Sequence, residues 1–177
     1  MNTILVLDDE ENILNSLRRM FVKNTQWEFE YFSDPFKALT RAQTNNFDLF
    51  LSDYRMPGMD GIQFLTEVRQ IQPESMRLIL SGYTDLDALL DAINMAEIYR
   101  FINKPWQDYE LTATIGQALE HRSILVENRR LADQVREQQQ ELDKRKGALE
   151  VLRSRHPALV EINWGEDGSI ILDGNSV

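Results

Sequence analysis

The sequence predicts an α/β fold in which helices cover both faces of a parallel sheet. Five short β-type segments alternate with helical segments from the N-terminus to about residue 107. A strand that returns parallel to its neighbour needs a crossover connection, which a helix usually supplies. Three of the five strands are almost continuously apolar, a pattern typical of a sheet buried on both faces.

The predicted strands differ in their polarity patterns. Residues 3–7, 47–52 and 76–81 are nearly all apolar, which favours central positions in the sheet. Residues 27–32 (WEFEYF) alternate between apolar and polar, as expected for an edge strand with a half-exposed face. Residues 98–102 (IYRFI) form the fifth predicted strand.

Helical patterns separate these strands. They cover residues 11–22, 33–43, 61–71 and 85–95, and a fifth begins near Gln107. Residues 11–22 repeat apolar side chains at helical spacing, and residues 33–43 begin with Ser-Asp-Pro, which favours a helix N-terminus. Each strand is thus predicted to be followed by a helix.

The fifth helix is predicted to continue to residue 155, because no proline interrupts the sequence up to that point. Apolar residues at alternating three- and four-residue spacing make residues 123–155 amphipathic, and we expect this part to pair as a coiled coil. The alternative is a solvated helix that bundles weakly. The apolar positions are Ile124, Leu131, Val135, Leu142, Leu149 and Leu152, and the polar gaps are Asn128, Gln138 and Arg145.

The last residues predict a short β-hairpin, because two apolar β-type segments flank the turn sequence GEDG. A single hairpin is marginally stable alone. The chain is therefore predicted to have three parts: a domain of residues 1–122, a helix of residues 123–155 and a tail of residues 156–177.

Composition restricts the class of protein. The chain has 177 residues, a formal charge of −10 and no cysteine, so disulfides and thiolate sites are excluded. No signal peptide is evident, and no apolar run approaches the roughly 18 residues of a membrane span, so we expect a cytoplasmic protein without membrane contact. Nucleic-acid binding is disfavoured, because acids interleave the basic residues of the helix, namely Arg129, Arg130, Arg136, Lys144, Arg145 and Lys146.

Chemically active side chains follow four of the predicted strands. Asp8 and Asp9 follow the first strand, Asp53 follows the third, Ser81 ends the fourth and Lys104 follows the fifth. Functional groups of open parallel sheets collect beyond the carboxyl ends of the strands. Each residue alone has an ordinary alternative: the acids could cap helices or turns, the serine could belong to a turn, and the lysine could be a surface cation.

Together these residues predict reversible phosphorylation of an aspartate. Three adjacent carboxylates repel one another, and a divalent ion such as Mg²⁺ or Mn²⁺ with oxygen ligands would neutralise them. A carboxylate beside Mg²⁺ can accept a phosphoryl group as an acyl phosphate. A lysine supplies a compact positive charge for the added phosphoryl oxygens, and a serine hydroxyl can bond one of them.

The same residues carry a family resemblance over residues 1 to about 122. The sequence resembles the receiver domain of bacterial two-component response regulators, with that family's motifs in order: VLDDE, LSDYRMPGMDG, LILSGYTD and FINKPW. The resemblance implies a CheY-like, flavodoxin-like (βα)5 sheet with strand order 2-1-3-4-5. It also implies a signalling protein that catalyses only its own phosphorylation and dephosphorylation.

The resemblance assigns a role to each site residue. Asp53 would be the phosphoacceptor. Asp9, Asp53 and the backbone carbonyl of Arg55 would bind Mg²⁺ directly, and Asp8 would act through water. Lys104 would be the cation that binds the phosphoryl group, and Ser81 and Phe101 would be the switch residues. The Lys104–Pro105 peptide bond would be cis. Arg55 and Tyr83 flank the family's path for hydrolytic water, so we expect their bulk to slow dephosphorylation.

The resemblance also implies partners. The phosphoryl donor would be a sensor histidine kinase or a histidine phosphotransfer protein, and the output would be contact with a protein effector or a homodimer formed through the helix. One alternative is a receiver belonging to a longer regulator with a catalytic output domain such as a metal-dependent phosphodiesterase. A second is a phosphorelay intermediate. A haloacid-dehalogenase-type phosphatase is disfavoured, since LDDEE lacks the DxD pattern of that class.

Overall fold

The computed structural model describes residues 1–82, 96–155, 163–164 and 170–171. The predicted helix over residues 85–95 and the modulating residue Tyr83 lie outside this described part. The chain divides into two compact units, Met1–Glu127 and Asn128–Val177, and each is described by itself.

The first unit contains a five-stranded parallel sheet of order β2-β1-β3-β4-β5, which confirms the predicted topology. The strands are β1 Asn2–Leu7, β2 Trp27–Phe32, β3 Leu49–Asp53, β4 Met76–Ser81 and β5 Arg100–Asn103. Every residue of β3 and β4 is buried, whereas β2 is half-exposed at the edge. The apolar and alternating patterns thus placed these strands correctly.

In the described residues, helices follow β1, β2, β3 and β5, as the sequence predicts. They are α1 Glu11–Phe21, α2 Pro35–Thr44, α3 Gly61–Ile71 and α4 Asp108–Arg155. Asp34 caps α2 by accepting hydrogen bonds from the backbone N–H groups of Phe36 and Lys37, with Pro35 in the first turn. The long helix α4 therefore includes the whole segment predicted to be helical after residue 107.

Two apolar layers cover the sheet. In one layer, side chains of β1, β3 and β4 pack against Leu14 and Leu17 of α1 and against Leu111 and Ile115 in the first turns of α4. The other faces α2 and α3 and includes Phe50 and Phe64, whose rings meet edge to face. Both faces of the central strands are therefore dry, which explains their continuous apolar sequences.

The second unit contains the remainder of α4 and two short strands. Strands β6 Asn163–Trp164 and β7 Ile170–Ile171 pair antiparallel, in agreement with the predicted hairpin. The residues that connect these two strands lie outside the described part.

Candidate functional site

Asp53 ends β3 at the carboxyl edge of the sheet. Its side chain emerges between β1 and β4, and only 6 % of the residue is exposed. Asp53 lies opposite Leu80 in β4, and the Tyr54 N–H donates to the Leu80 carbonyl at 2.9 Å. The backbone N–H of Arg55 donates a hydrogen bond to the Asp53 carboxylate. The first turn after the strand therefore orients this carboxylate.

Asp8 follows β1, where it is completely buried. Its Oδ1 accepts a hydrogen bond from the Glu10 N–H at 2.9 Å, and its own N–H donates to the Phe32 carbonyl at 3.1 Å. Glu10 occupies the N-cap position of α1 without a side-chain capping hydrogen bond. Asp9 beside it is exposed. The buried acid therefore points into the site instead of capping the helix.

Lys104 joins the two buried carboxylates. Its Nζ lies 2.7 Å from Asp8 Oδ2 and also contacts Asp53 Oδ1. Its backbone N–H donates to the Ser81 carbonyl at 2.8 Å, and the Lys104–Pro105 peptide bond is cis. The end of β5 is thus attached to the end of β4, and this attachment directs the lysine towards the carboxylates.

The charges of this cluster are unbalanced, since two buried carboxylates share one ammonium group. Burial raises the pKa of Asp8 and of Asp53 above the ordinary value, although Lys104 opposes the rise. Asp53 raises the pKa of Asp8 further, and Asp9 does the same to Asp53. Burial would lower the pKa of Lys104, but its hydrogen bonds to Asp53 and Asp8 raise it. The site therefore has capacity for additional positive charge.

This donor set fits a hard divalent cation. Carboxylate oxygens are ligands that Mg²⁺ and Mn²⁺ prefer, and a peptide carbonyl is a further oxygen ligand of the same kind. Within the described part of the chain, no cluster of three or more His, Asp or Glu side chains is arranged to hold a metal. The buried carboxylate oxygens that such an ion could contact are those of Asp8 and Asp53.

Ser81 and Phe101 lie where the sequence predicts them. Ser81 ends β4 one residue beyond the partner of Asp53, and it is buried. Phe101 pairs with Ile79 and is half-buried against the apolar layer that contains that residue. Arg55 is exposed beside Asp53. The structure therefore brings Asp8, Asp53 and Lys104 into contact and places Ser81 on the strand beside them.

Gly61, which the sequence analysis did not identify, also shapes this site. A Cβ on Gly61 would overlap the carbonyl oxygen of Asp53 and would lie 3.0 Å from its carbonyl carbon and 3.1 Å from Ser52 Oγ. The Gly61 N–H donates to the Tyr54 carbonyl at 2.9 Å, and the Ser52 hydroxyl donates to the Asp53 carbonyl at 2.9 Å. The start of α3 therefore packs directly on the Asp53 backbone.

A capping box fixes this start of α3. The Asp60 side chain accepts a hydrogen bond from the Gln63 N–H at 2.8 Å, and the Gln63 side chain accepts one from the Asp60 N–H. The helical pattern of the sequence already predicted a start at residue 61, and the D-x-x-Q spacing of the box is a further signal for that start. That spacing does not show how closely the glycine next to the capping residue approaches Asp53, which only the structure reveals.

Comparisons with known proteins identify the family and the fold that the chain resembles. A family model described as "Response regulator receiver domain" matches residues 4–116. The hydrogenase transcriptional regulatory protein HoxA of Cupriavidus necator is 37% identical over 129 residues, which are 73% of this chain and 26% of that protein.

Two solved structures are similar to the chain in fold. A signal receiver domain of an HD domain-containing protein from Pseudomonas fluorescens Pf-5 has a TM-score of 0.65 and 35% identity, covering 69% of this chain and 97% of that one. A structure described as adenylate cyclase from Rhodopirellula baltica has a TM-score of 0.70 and 30% identity, and the match covers 75% of this chain and 98% of that one.

The chain spans about a quarter of the length of the curated relatives HoxA and NtrC that it matches. Among the helices of the described residues, none is both long enough and apolar enough to cross a membrane.

Proposed function

The chain belongs to the response regulator receiver family, and on this premise we propose that Asp53 accepts a phosphoryl group from a phosphorylated histidine of a sensor kinase or phosphotransfer protein. The observation that carries this proposal is the contact of Lys104 with both Asp8 and Asp53 at the carboxyl edge of the sheet. Such a cluster supplies an acceptor oxygen, a cation and a second acid in one buried place.

The proposed transfer is a single displacement at phosphorus. An Asp53 carboxylate oxygen bonds to the phosphorus as the P–N bond to the donor histidine breaks, and the imidazole nitrogen keeps the bonding electron pair. Hydrolysis later returns the Asp53 carboxylate and inorganic phosphate. These two steps on its own side chain are the only chemistry that we propose for this chain.

A bound Mg²⁺ or Mn²⁺ would neutralise the transferring phosphoryl oxygens. We propose that Asp9, Asp53 and the Arg55 carbonyl hold this ion directly and that Asp8 acts through water. Lys104, which contacts Asp53 before phosphorylation, would then pair with a phosphoryl oxygen. The raised pKa values of Asp8 and Asp53 support uptake of a cation at this site.

The proposed output is a shift between two conformations. The Ser81 hydroxyl and Lys104 would bind the phosphoryl group better in one of them, and that difference in affinity would change their populations. Phe101 is half-buried on β5, two residues before Ser81's strand partner Asn103, so a change in its burial would alter the surface of β5. Phe101 has no hydroxyl, which leaves ring burial as its contribution.

We propose that residues 1–122 form the receiver, residues 123–155 a helix that dimerises or docks a protein effector, and residues 156–177 a tail. The exposed apolar side chains of α4 support the role of the helix. Its arginines are partly neutralised within the helix, since Arg136 pairs with Asp133 and Arg145 with Glu141. This pairing supports contact with protein in preference to nucleic acid.

Asp53→Asn is expected to abolish phosphorylation, because an amide cannot form the acyl phosphate. Intact mass spectrometry after incubation with acetyl phosphate and Mg²⁺ should show a phosphorylated wild type and less than about one hundredth of that signal in the variant. Asp60→Asn is the matched control, because asparagine also caps helices well and Asp60 lies on the same loop. Undiminished phosphorylation of Asp53→Asn would remove Asp53 as the acceptor.

Arg55→Asn is expected to accelerate dephosphorylation several-fold, because Arg55 is exposed close to Asp53 and its long side chain would hinder water that approaches a phosphorylated Asp53. The decay of the phosphorylated protein after removal of the donor measures this rate. We propose the same role for Tyr83, for which Tyr83→Ala is the corresponding variant. Unchanged or slower decay in Arg55→Asn would contradict the role of Arg55.

A further inference from the structure

We propose that residues 128–155 of α4 pair with a second copy of this chain as a parallel, in-register, two-stranded coiled coil. The inference rests on the dimerisation proposed above and adds its orientation and register. A seam of side chains, defined by alternating three- and four-residue steps, carries the argument. Its a positions are Asn128, Val135, Leu142 and Leu149, and its d positions are Leu131, Gln138, Arg145 and Leu152.

The apolar members of the seam are exposed within their own unit. All of residues 127–155 are exposed, yet large apolar side chains recur along one face at coiled-coil spacing. Burying this face on a second helix would remove apolar surface from water at both chains. The exposed fractions are 46% for Leu131, 64% for Val135, 50% for Leu142, 56% for Leu149 and 48% for Leu152.

The order of polar and apolar residues along the seam selects the parallel orientation. In a parallel in-register pair, each position faces its own copy, so Asn128 faces Asn128 and Gln138 faces Gln138. These side chains can then hydrogen-bond to each other, and an asparagine at one a position is known to specify register. The valine and leucine layers meet only apolar partners.

An antiparallel pair would mismatch the same residues. Each a residue then faces a d residue, and the alignment that overlaps residues 128–152 completely sets Asn128 against Leu152 and Val135 against Arg145. It also sets Leu142 against Gln138, and only Leu149 with Leu131 remains an apolar layer. Three of the four kinds of layer would bury a polar group without a matching partner, which is costly.

Flanking charges also favour the parallel arrangement. Glu141 occupies a g position and Lys146 the following e position, five residues later, which is the spacing that joins two helices in a parallel pair. The antiparallel alignment would instead bring Glu141 near its own copy. Arg145 is the unfavourable member of the seam, but Glu141 Oε1 lies 2.6 Å from its guanidinium within the same helix and offsets its charge.

Cysteine cross-linking tests the register directly, since the chain has no cysteine of its own. Val135→Cys and Leu149→Cys, made separately in the full chain, are expected to form symmetric disulfide dimers in a glutathione redox buffer, because each would face its own copy. Gln140→Cys, on the outer face of the helix, is the control and should cross-link at least about tenfold more slowly, because its Cβ atoms would point apart.

Sedimentation velocity on the wild type separates the two levels of the proposal. A dimer whose Val135→Cys and Leu149→Cys variants do not self-link would overturn the parallel register while leaving dimerisation intact. A mixture of Leu131→Cys with Leu149→Cys would then give a mixed disulfide, the product of the antiparallel pair. A wild type that stays monomeric at tens of micromolar, with or without beryllofluoride and Mg²⁺, would overturn both the dimer and its parallel register. The seam would then be a binding surface for a different protein.

Discussion

Gly61→Ala is expected to destabilise the first unit by about 3 kcal/mol or more, at the upper end of overpacking effects. The added methyl would overlap the Asp53 carbonyl oxygen and crowd Ser52 Oγ. Neither neighbour is the free end of a flexible side chain: one is backbone and the other already donates to that carbonyl. Urea denaturation followed by circular dichroism measures the loss.

Gly147→Ala is a control variant that is expected to increase stability instead of lowering it. A Cβ on Gly147 would meet nothing within 4 Å, and the residue is exposed inside α4. Alanine there should increase helix stability by about 0.5–1 kcal/mol through backbone propensity alone. A Gly61→Ala variant as stable as the wild type would show that the junction of β3 and α3 can separate, and the proposed close packing would then be wrong.

The Gly61→Ala variant also connects packing with chemistry. The displaced atoms belong to Asp53 itself, the proposed phosphoacceptor, whose carboxylate contacts Lys104. We therefore expect any folded fraction of the variant to be phosphorylated more slowly than the wild type. The small size of Gly61 would thus matter both for the stability of the first unit and for the position of Asp53.

The sheet and the edge that carries the site could be predicted from the sequence for a simple physical reason. Strands buried on both faces are largely apolar, so the polar residues Asp8, Asp53 and Ser81 mark the points where three apolar runs of the sequence end. Parallel strands bring those points to one edge. The alternation in residues 27–32 likewise identified the edge strand, which the structure places next to β1.

The contacts between distant residues could not be predicted in this way. Arg77 is a charged residue in a strand that is otherwise mostly apolar, and it is buried. Its guanidinium donates to the carbonyls of Ala96 and Ser75, each at 2.7 Å. Those acceptors come from segments on either side of the strand, and strand periodicity says nothing about them. The exclusion of a Cβ at Gly61 likewise depends on how α3 approaches β3.

The strand ends show the same limit on a smaller scale. The fifth strand is Arg100–Asn103 instead of residues 98–102, and the third is Leu49–Asp53 instead of 47–52. Both predictions followed the apolar residues, whereas the pairing follows backbone hydrogen bonds. Ile98 and Phe47 are buried without belonging to a strand, so their hydrophobicity indicated burial correctly and strand pairing incorrectly.

Lys104→Met is expected to destabilise the first unit by about 3 kcal/mol at neutral pH without divalent cations, since removing one partner leaves buried charges uncompensated. Asp8 is fully buried and Asp53 nearly so, and both lose the ammonium that contacts them. Lys104→Arg is the control that keeps the charge. Denaturation midpoints in EDTA compare the three proteins.

The loss in Lys104→Met should depend on pH. Burial raises the pKa of both carboxyls, and Lys104 opposes that rise, so the variant's pKa values should be higher still. A group whose pKa is higher in the folded state stabilises the fold below its unfolded pKa and loses that contribution as pH rises through the folded pKa. The deficit of the variant should therefore be small in acid and grow towards neutral pH.

Mg²⁺ should restore part of the lost stability of Lys104→Met, because a divalent cation supplies the missing positive charge and no ammonium competes with it. The midpoint of the variant should rise more on adding Mg²⁺ than that of the wild type. Equal loss in Lys104→Met and Lys104→Arg, or a deficit that is the same from acid to neutral pH, would show that Lys104 acts through its shape. With a pH-dependent deficit and the larger response to Mg²⁺, its charge balances the same carboxylates that the proposed transfer needs.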